Sequence, residues 1–135
     1  MKKAVMAVGN VLRGDDSIGQ MILQQLKGID ADLVDLGWGL DIGPIKKYDR
    51  VAIVDAGLIG GKPGDWGSFS LKELKPGSIL STHGISIDFL IRKMDNIPEL
   101  RFFLIQPGEF SAKSIQTHRK IPEIIKAIKN YLDQS

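Results

Sequence analysis

Three residues whose side chains bind metal ions or carry protons lie far apart along the chain. Asp16 follows a short apolar run at residues 4–8, Asp55 comes directly after Val-Ala-Ile-Val, and His83 precedes a predicted helix. Two carboxylates and an imidazole together suit a divalent metal ion of intermediate hardness, such as nickel or zinc. Three protein ligands would also leave coordination positions open to a substrate.

Each of these residues also has a structural explanation. Asp15 and Asp16 precede a predicted helix, where a carboxylate stabilises the positive helix terminus by about 0.3–1 kcal/mol. Asp55 could cap the turn that follows it, and a lone histidine such as His83 is more often a packing residue than a ligand. However, two adjacent carboxylates repel each other, and a buried Asp55 is costly unless it is paired, hydrogen-bonded or metal-bound.

The first helix is expected directly after the acidic pair, over residues 17–27, with its end at Gly28. Ser17 and Gln20 have the spacing of a capping box, in which each side chain satisfies a free backbone N–H at the start of the helix. Four apolar residues recur with the spacing of one helical face: Ile18, Met21, Ile22 and Leu26.

Short apolar segments alternate with amphipathic ones along the rest of the chain. Strands are predicted at residues 4–8, 31–36, 50–55, 66–71 and 101–105, and later helices at 87–94 and 121–132. The segment 50–55 is almost purely apolar, which is typical of a central parallel strand. We therefore predict a single α/β domain over residues 1–135, with three layers: a twisted, mostly parallel central sheet flanked by helices.

The predicted topology brings the acidic residues together. Parallel crossovers are right-handed, so the order of the strands reverses if the first and third strands are neighbours. Ligands bind at such a reversal, beyond the carboxyl ends of the strands. Asp16 and Asp55 both follow strands that end there, and His83 at the start of a helix could face the same rim.

Composition excludes several other classes of protein. The chain has 135 residues, 43% of them hydrophobic, and a net charge of +2. This weak charge does not predict a nucleic-acid partner, which needs a clustered basic surface. The absence of cysteine excludes disulfides and thiolate metal sites. No apolar segment is long enough to span a membrane, so we expect a soluble, cytoplasmic protein.

The glycine-rich segment 57–64 has the composition of a phosphate-binding loop but not its spacing. Ala56 stands where the first glycine of the motif would be, and Pro63 replaces the Ser or Thr that should follow Lys62. We therefore interpret this segment as a structural loop and predict no nucleotide cofactor. His118 has no comparable neighbours and is expected at the surface.

The segment around the first acidic pair resembles a known family signature. It reads Gly9-Asn10-x-Leu12-x-x-Asp15-Asp16-x-x-Gly19, which is similar to the motif of the nickel–iron hydrogenase maturation proteases, with Ser17 where glycine is commonest. Asp55 in Ile-Val-Asp-Ala and the later His83 match two further segments of the family in order and approximate spacing. Ile105-Gln106-Pro107 resembles a late segment, so the likeness extends from residue 4 to 108.

The resemblance implies a fold, an activity and a partner. These endopeptidases remove a C-terminal extension from the hydrogenase large-subunit precursor after nickel insertion. By the same likeness, Asp16, Asp55 and His83 are expected to be the catalytic and metal-contacting residues, and the nickel is expected to belong to the centre of the substrate. Two alternatives stay open: a non-catalytic, metal-responsive binding protein or chaperone for hydrogenase assembly, and a hydrolase of small esters or amides.

Overall fold

The structure, a computed structural model, describes residues 1–9, 18–26, 28–37, 41–76, 87–108 and 118–134. The strands within these residues are β1 (Lys3–Ala7), β2 (Asp32–Asp35), β3 (Arg50–Ala56), β4 (Trp66–Phe69) and β5 (Glu99–Ile105). The helices are α1 (Ile18–Gln25), α2 (Ile87–Arg92), α3 (Ile121–Leu132) and a 3-10 helix at Gly43–Lys47. In this part of the chain, no helix has the length and apolar character needed to cross a bilayer.

The five strands form one sheet in the order β2-β1-β3-β5-β4. Strands β2, β1, β3 and β5 are parallel to one another, and β4 pairs with β5 in the antiparallel direction. Since β2 lies on one side of β1 and β3 on the other, the order of the strands reverses between β1 and β3. The predicted α/β architecture, with a mostly parallel sheet and a reversal at this place, is confirmed.

Apolar side chains cover both faces of the sheet. On one face, Val5, Val54 and Phe103 pack with α1 and α3. On the other, Met6, Ile53 and Phe102 pack with α2 and the 3-10 helix. Neighbouring residues in a strand point to opposite faces, so β1 and β3 need apolar residues at consecutive positions. This explains why the unbroken run in β3 correctly predicted a central strand.

Gly19 brings α1 into close contact with the carboxyl ends of two strands. A Cβ atom at this position would lie 2.8 Å from the carbonyl oxygen of Val54 and 3.0 Å from the Cβ of Ala7. Real Cβ atoms do not approach a backbone oxygen so closely, so only glycine permits this packing. The contact fixes the start of α1 above the place where β1 and β3 end.

Several boundaries differ from the sequence-based expectations. Strand β5 begins at Glu99, two residues earlier than predicted, whereas β4 ends at Phe69, two residues early. Beyond β4, the backbone N–H of Ser70 donates to Glu73 Oε1 at 2.8 Å, which bends the chain into a turn and ends the strand. Helix α3 has the predicted bounds. The predicted start of the first helix, at residue 17, lies outside the described residues. Helix α1 ends at Gln25, two residues earlier than predicted, because Leu26 is no longer helical.

Candidate active site at the carboxyl edge of the sheet

Asp55 is the penultimate residue of β3 and is completely buried. It lies opposite Leu104 of β5, and its Oδ1 accepts a hydrogen bond from the backbone N–H of Ala56 at 2.7 Å. This bond is local to the end of the strand, because Ala56 is the last residue of β3. By strand alternation, Asp55 shares a face with Val51 and Ile53, which pack on the side of α2. The carboxylate therefore lies inside the protein, at the carboxyl edge and on the face that α2 covers.

Asp16 lies outside the described residues, within the segment 10–17. The two described ends of this segment are both close to the end of β3. Before it, the N–H of Val8 donates to the carbonyl oxygen of Val54 at 3.1 Å; after it, Gly19 packs against the same oxygen. Val54 immediately precedes Asp55. The signature segment thus begins and ends beside the strand that carries the second predicted acid.

A hydrogen-bond network holds the start of the signature segment. The buried side chain of Gln20 donates through Nε2 to the carbonyl oxygen of Gly9 at 3.2 Å and to Asp35 Oδ1 at 3.1 Å. Asp35 Oδ1 also accepts the N–H of Gly37 at 2.8 Å, and the carbonyl oxygen of Gly37 accepts the N–H of Gly9 at 2.7 Å. Gln20 therefore joins α1, the end of β1 and the end of β2.

The predicted capping box pairs Gln20 with Ser17, which lies outside the described residues, so that interpretation stays a prediction. A capping box would use Oε1 of Gln20 to accept the N–H of residue 17. The observed bonds are donated by Nε2 to residues 11 and 15 positions away. Spacing along the helix could not reveal this, because both partners belong to other elements.

His83 and its neighbours lie in the segment 77–86, also outside the described residues. Arg92 of α2, which follows this segment, donates to the carbonyl oxygen of Leu74, which precedes it, at 2.9 Å. Arg92 also forms an ion pair at 3.6 Å with Asp88, a second buried carboxylate that sequence reasoning missed. The two ends of the His83 segment are thus held together, on the same face of the sheet as Asp55.

The loop after Asp55 is anchored by Gln106. The side-chain Oε1 of Gln106 accepts the N–H of Ile59 at 2.9 Å, and its backbone oxygen accepts the N–H of Gly64 at 2.9 Å. These bonds attach both parts of the glycine-rich loop to the end of β5. Gln106 belongs to the late segment of the family resemblance, and its side chain has a positional role here.

The structure brings one predicted site residue, Asp55, to the expected place. Among the described residues, no three His, Asp or Glu side chains form a group that could hold a metal ion. Because Asp16 and His83 are outside these residues, the meeting of the three ligands stays a prediction. The half-buried His118, expected at the surface, has its Nε2 shielded from solvent.

Comparison with known proteins gives matches in structure but not in sequence. No family model and no curated relative matches the sequence. The solved structures that match include the endopeptidase HycI from Escherichia coli, with 23% identity, a TM-score of 0.79, and coverage of 99% of this chain and 93% of that chain. A solution structure described as an endopeptidase from Escherichia coli is 19% identical, with a TM-score of 0.83 and coverage of 98% of this chain and 92% of that chain.

An archaeal structure gives the same result. The nickel–iron hydrogenase maturation protease HybD from Thermococcus kodakarensis is 23% identical, with a TM-score of 0.74 and coverage of 96% of this chain and 98% of that chain. The likeness noted in separate sequence segments therefore extends to the whole architecture. Over nearly its full length, this chain has the fold of the nickel–iron hydrogenase maturation proteases.

Proposed function

We propose that this protein is an endopeptidase that removes the C-terminal extension of a nickel–iron hydrogenase large-subunit precursor after nickel insertion. The observation that carries the proposal is the position of Asp55. It is a fully buried carboxylate at the end of the central strand, beside the reversal in strand order where ligands bind in such sheets. The fold is shared with proteins whose known role is hydrogenase maturation.

In this proposal, Asp16, Asp55 and His83 contact the nickel ion of the precursor. Carboxylates and an imidazole are suitable ligands for nickel, and three of them leave room for ligands from the precursor itself. A metal ion held there polarises a carbonyl group or lowers the pKa of a bound water. The protein's part is to hold three side chains in one geometry, which the anchored ends of segments 10–17 and 77–86 support.

The test is to incubate the purified protein with nickel-loaded precursor and to follow the mass of the precursor. Loss of a C-terminal fragment is expected with the wild-type protein. Asp55→Asn keeps the shape of the side chain but removes its charge, and should abolish processing. Asp95→Asn, at an exposed position after α2, is the matched control and should process at the wild-type rate.

Asp16→Ala and His83→Ala should also abolish processing while the fold stays intact, as judged by thermal melting. If either variant processes precursor at the wild-type rate, its residue has no part in the site. Formation of a stable complex without any cleavage would instead identify a metal-responsive binding protein or chaperone. Turnover of small esters or amides without a protein partner would indicate a hydrolase of small ligands.

A further inference from the structure

Strand β4 forms an edge of the sheet, and β5 is its one strand partner among the described residues. The direction of its amide groups follows from nearby bonds. The carbonyl oxygen of Ile105 accepts the N–H of Gly57 on the β3 side, so the amide groups of Leu104 face β4. Leu104 lies opposite Gly67. Gly67 therefore bonds to β5, and the amide groups of the residues on either side of it point outward.

Trp66 and Ser68 are these two outward-facing residues. The carbonyl oxygen of Ser68 accepts Arg101 Nη2 at 3.3 Å, and neither backbone N–H has a partner in the described part of the chain. The next outward N–H, that of Ser70, is satisfied by Glu73. In the described part of the chain, the groups left for a further strand are the N–H and C=O of Trp66 and the N–H of Ser68. Such groups at a sheet edge are a template for strand addition, and here the template is limited to β4.

A cavity of about 500 Å³ lies on the α3 side of this edge, with Trp66, Ser68 and Arg101 among its lining residues. Arg101 donates to Ser68 Oγ at 2.8 Å, and its ion pair with Glu73 is long at 3.7 Å. Glu99, the acid among the described residues that line this cavity, is paired with Arg50. Arg101 is thus the cation in this cavity that is placed to receive a further carboxylate.

A second cavity, of about 260 Å³, lies on the opposite face of the edge. Its lining includes the apolar residues Leu58, Phe69 and Leu74 and one charged residue of each sign, Glu73 and Lys75. The side chain of Leu58 is 52% exposed although it is large and apolar. Leu58 comes three residues after Asp55, so this cavity adjoins the loop that borders the candidate active site. Its chemistry fits an aliphatic side chain.

We propose that the outer edge of β4 binds an extended segment of the precursor as an added strand. Neighbouring side chains of a strand point to opposite faces, so one residue of the added segment would reach each cavity. Charge complementarity with Arg101 predicts an acidic side chain on the α3 side, and the apolar cavity predicts an aliphatic side chain next to it. Main-chain bonds supply affinity and the two cavities supply selectivity, as in other strand-addition complexes.

This docking site is separate from the site of cleavage, although it rests on the proposed function. Strands in a sheet are about 4.8 Å apart, so an added strand would lie three spacings from β3, roughly 14 Å. A linker of about four or five extended residues covers that distance. The docked segment is therefore expected to be several residues away from the scissile bond, along the precursor chain.

Ser68→Pro is the variant that tests this edge. Proline lacks the N–H, and it is tolerated in edge strands where that group faces solvent. Ser68→Ala is the matched control, because it loses the hydroxyl but keeps the N–H. We expect Ser68→Pro to raise KM for nickel-loaded precursor roughly tenfold with kcat unchanged, since one or two hydrogen bonds are lost. The KM of Ser68→Pro should exceed that of Ser68→Ala by the same factor, because both variants lack the hydroxyl and only the proline lacks the N–H.

A second variant keeps the inference testable if Ser68→Pro does not fold. Leu58→Asp places a charge at an exposed position of the apolar cavity, and it should raise KM while kcat is retained. Wild-type KM in a folded Ser68→Pro variant, or in Leu58→Asp if Ser68→Pro does not fold, would overturn the inference. The inference would also be overturned if the wild-type protein were a dimer and Ser68→Pro a monomer with wild-type KM. That result would mean that a second copy of the chain, and not the precursor, occupies the edge.

Failure of the proposed function is distinguishable from failure of this inference. If wild-type protein cleaves no precursor, the endopeptidase proposal fails, and equilibrium binding of the same precursor then tests the edge directly. A roughly tenfold weaker Kd for Ser68→Pro than for Ser68→Ala would support docking at β4. Equal Kd values for these two variants would overturn it. Normal cleavage with equal KM values overturns the docking site alone.

Discussion

The carboxyl end of β3 and the outer edge of β4 lie in the same sheet, two strands apart. They differ in the burial of their residues and in the pairing of their backbone groups. Every residue of β3 is buried, including Asp55, whereas every residue of β4 is half-buried. Strand β3 has a partner on each side, whereas β4 has β5 on one side and outward-facing amide groups on the other.

This difference corresponds to two tasks in the proposed function. A reacting or metal-contacting carboxylate must be held in one geometry, and a central strand with packing on both faces holds Asp55 in place. A surface that binds and releases a protein chain must instead offer free backbone groups and accessible cavities, as β4 does. The same sheet thus combines a rigid centre with an adaptable edge.

The largest effect on stability is expected from Ile53→Ala. Ile53 is fully buried in β3, so its truncation should lower the free energy of unfolding by about 2–5 kcal/mol. Ser68→Ala in β4 removes one side-chain hydrogen-bond acceptor for Arg101 and should cost about 0.5–1.5 kcal/mol. Urea denaturation measures both values. Equal losses would remove the contrast between a rigid centre and an adaptable edge.

Gly19→Ala should have an intermediate effect. The added Cβ would lie 2.8 Å from the carbonyl oxygen of Val54, so α1 must move away from the strand that carries Asp55. Overpacking of this kind costs about 1–3 kcal/mol. Gly43→Ala is the control, because its Cβ would meet only the flexible carboxylate of Asp41, at 3.1 Å. A neutral Gly19→Ala variant would show that the close contact does not hold the signature segment in place.

The smallest effect concerns Tyr131, which borders the larger cavity beside β4. Burial, followed by the nearby charge of Glu99, raises the pKa of its phenol well above the usual value of 10.0. The stability that Tyr131 contributes is therefore complete below about pH 10 and is lost as the pH rises through the raised pKa, because the unfolded chain releases its proton first.

Titration of tyrosinate absorbance in a Tyr48→Phe variant isolates this group, since the chain has two tyrosines. The native protein should stay protonated under conditions in which the denatured protein ionises. In a Tyr131→Phe variant, the decline in stability above about pH 10 should be shallower than in wild type. Ionisation of native Tyr131 at the ordinary pKa would mean that this side of the cavity is more open to solvent than the structure shows.

Periodicity and composition predicted the elements whose burial follows directly from the spacing of their apolar residues. The run of apolar residues in β3 indicated a strand buried on both faces, and the spacing in α3 gave its bounds at residues 121 and 132. The position of Asp55 at the end of a central strand was also predicted. The convergence of Asp16 and His83 on Asp55 remains a prediction, because both residues lie outside the described parts of the chain.

Other features depend on partners that local spacing does not specify. The side-chain amide of Gln20 donates to Gly9 and Asp35, two partners that its spacing along α1 did not indicate. The early end of β4 depends on the turn between Ser70 and Glu73. The requirement for glycine at position 19 comes from Val54, which is 35 residues away in the sequence.

The sequence by itself determined the alternation of strands and helices, the central place of β3 and the position of an acid at its end. It could do so because apolar periodicity reports directly which faces of a segment avoid water. Only the tertiary structure decided the order of all five strands, the close approach of α1 at Gly19 and the outward direction of the amide groups in β4. These features arise from contacts between distant segments, whose free energies depend on the geometry of both partners.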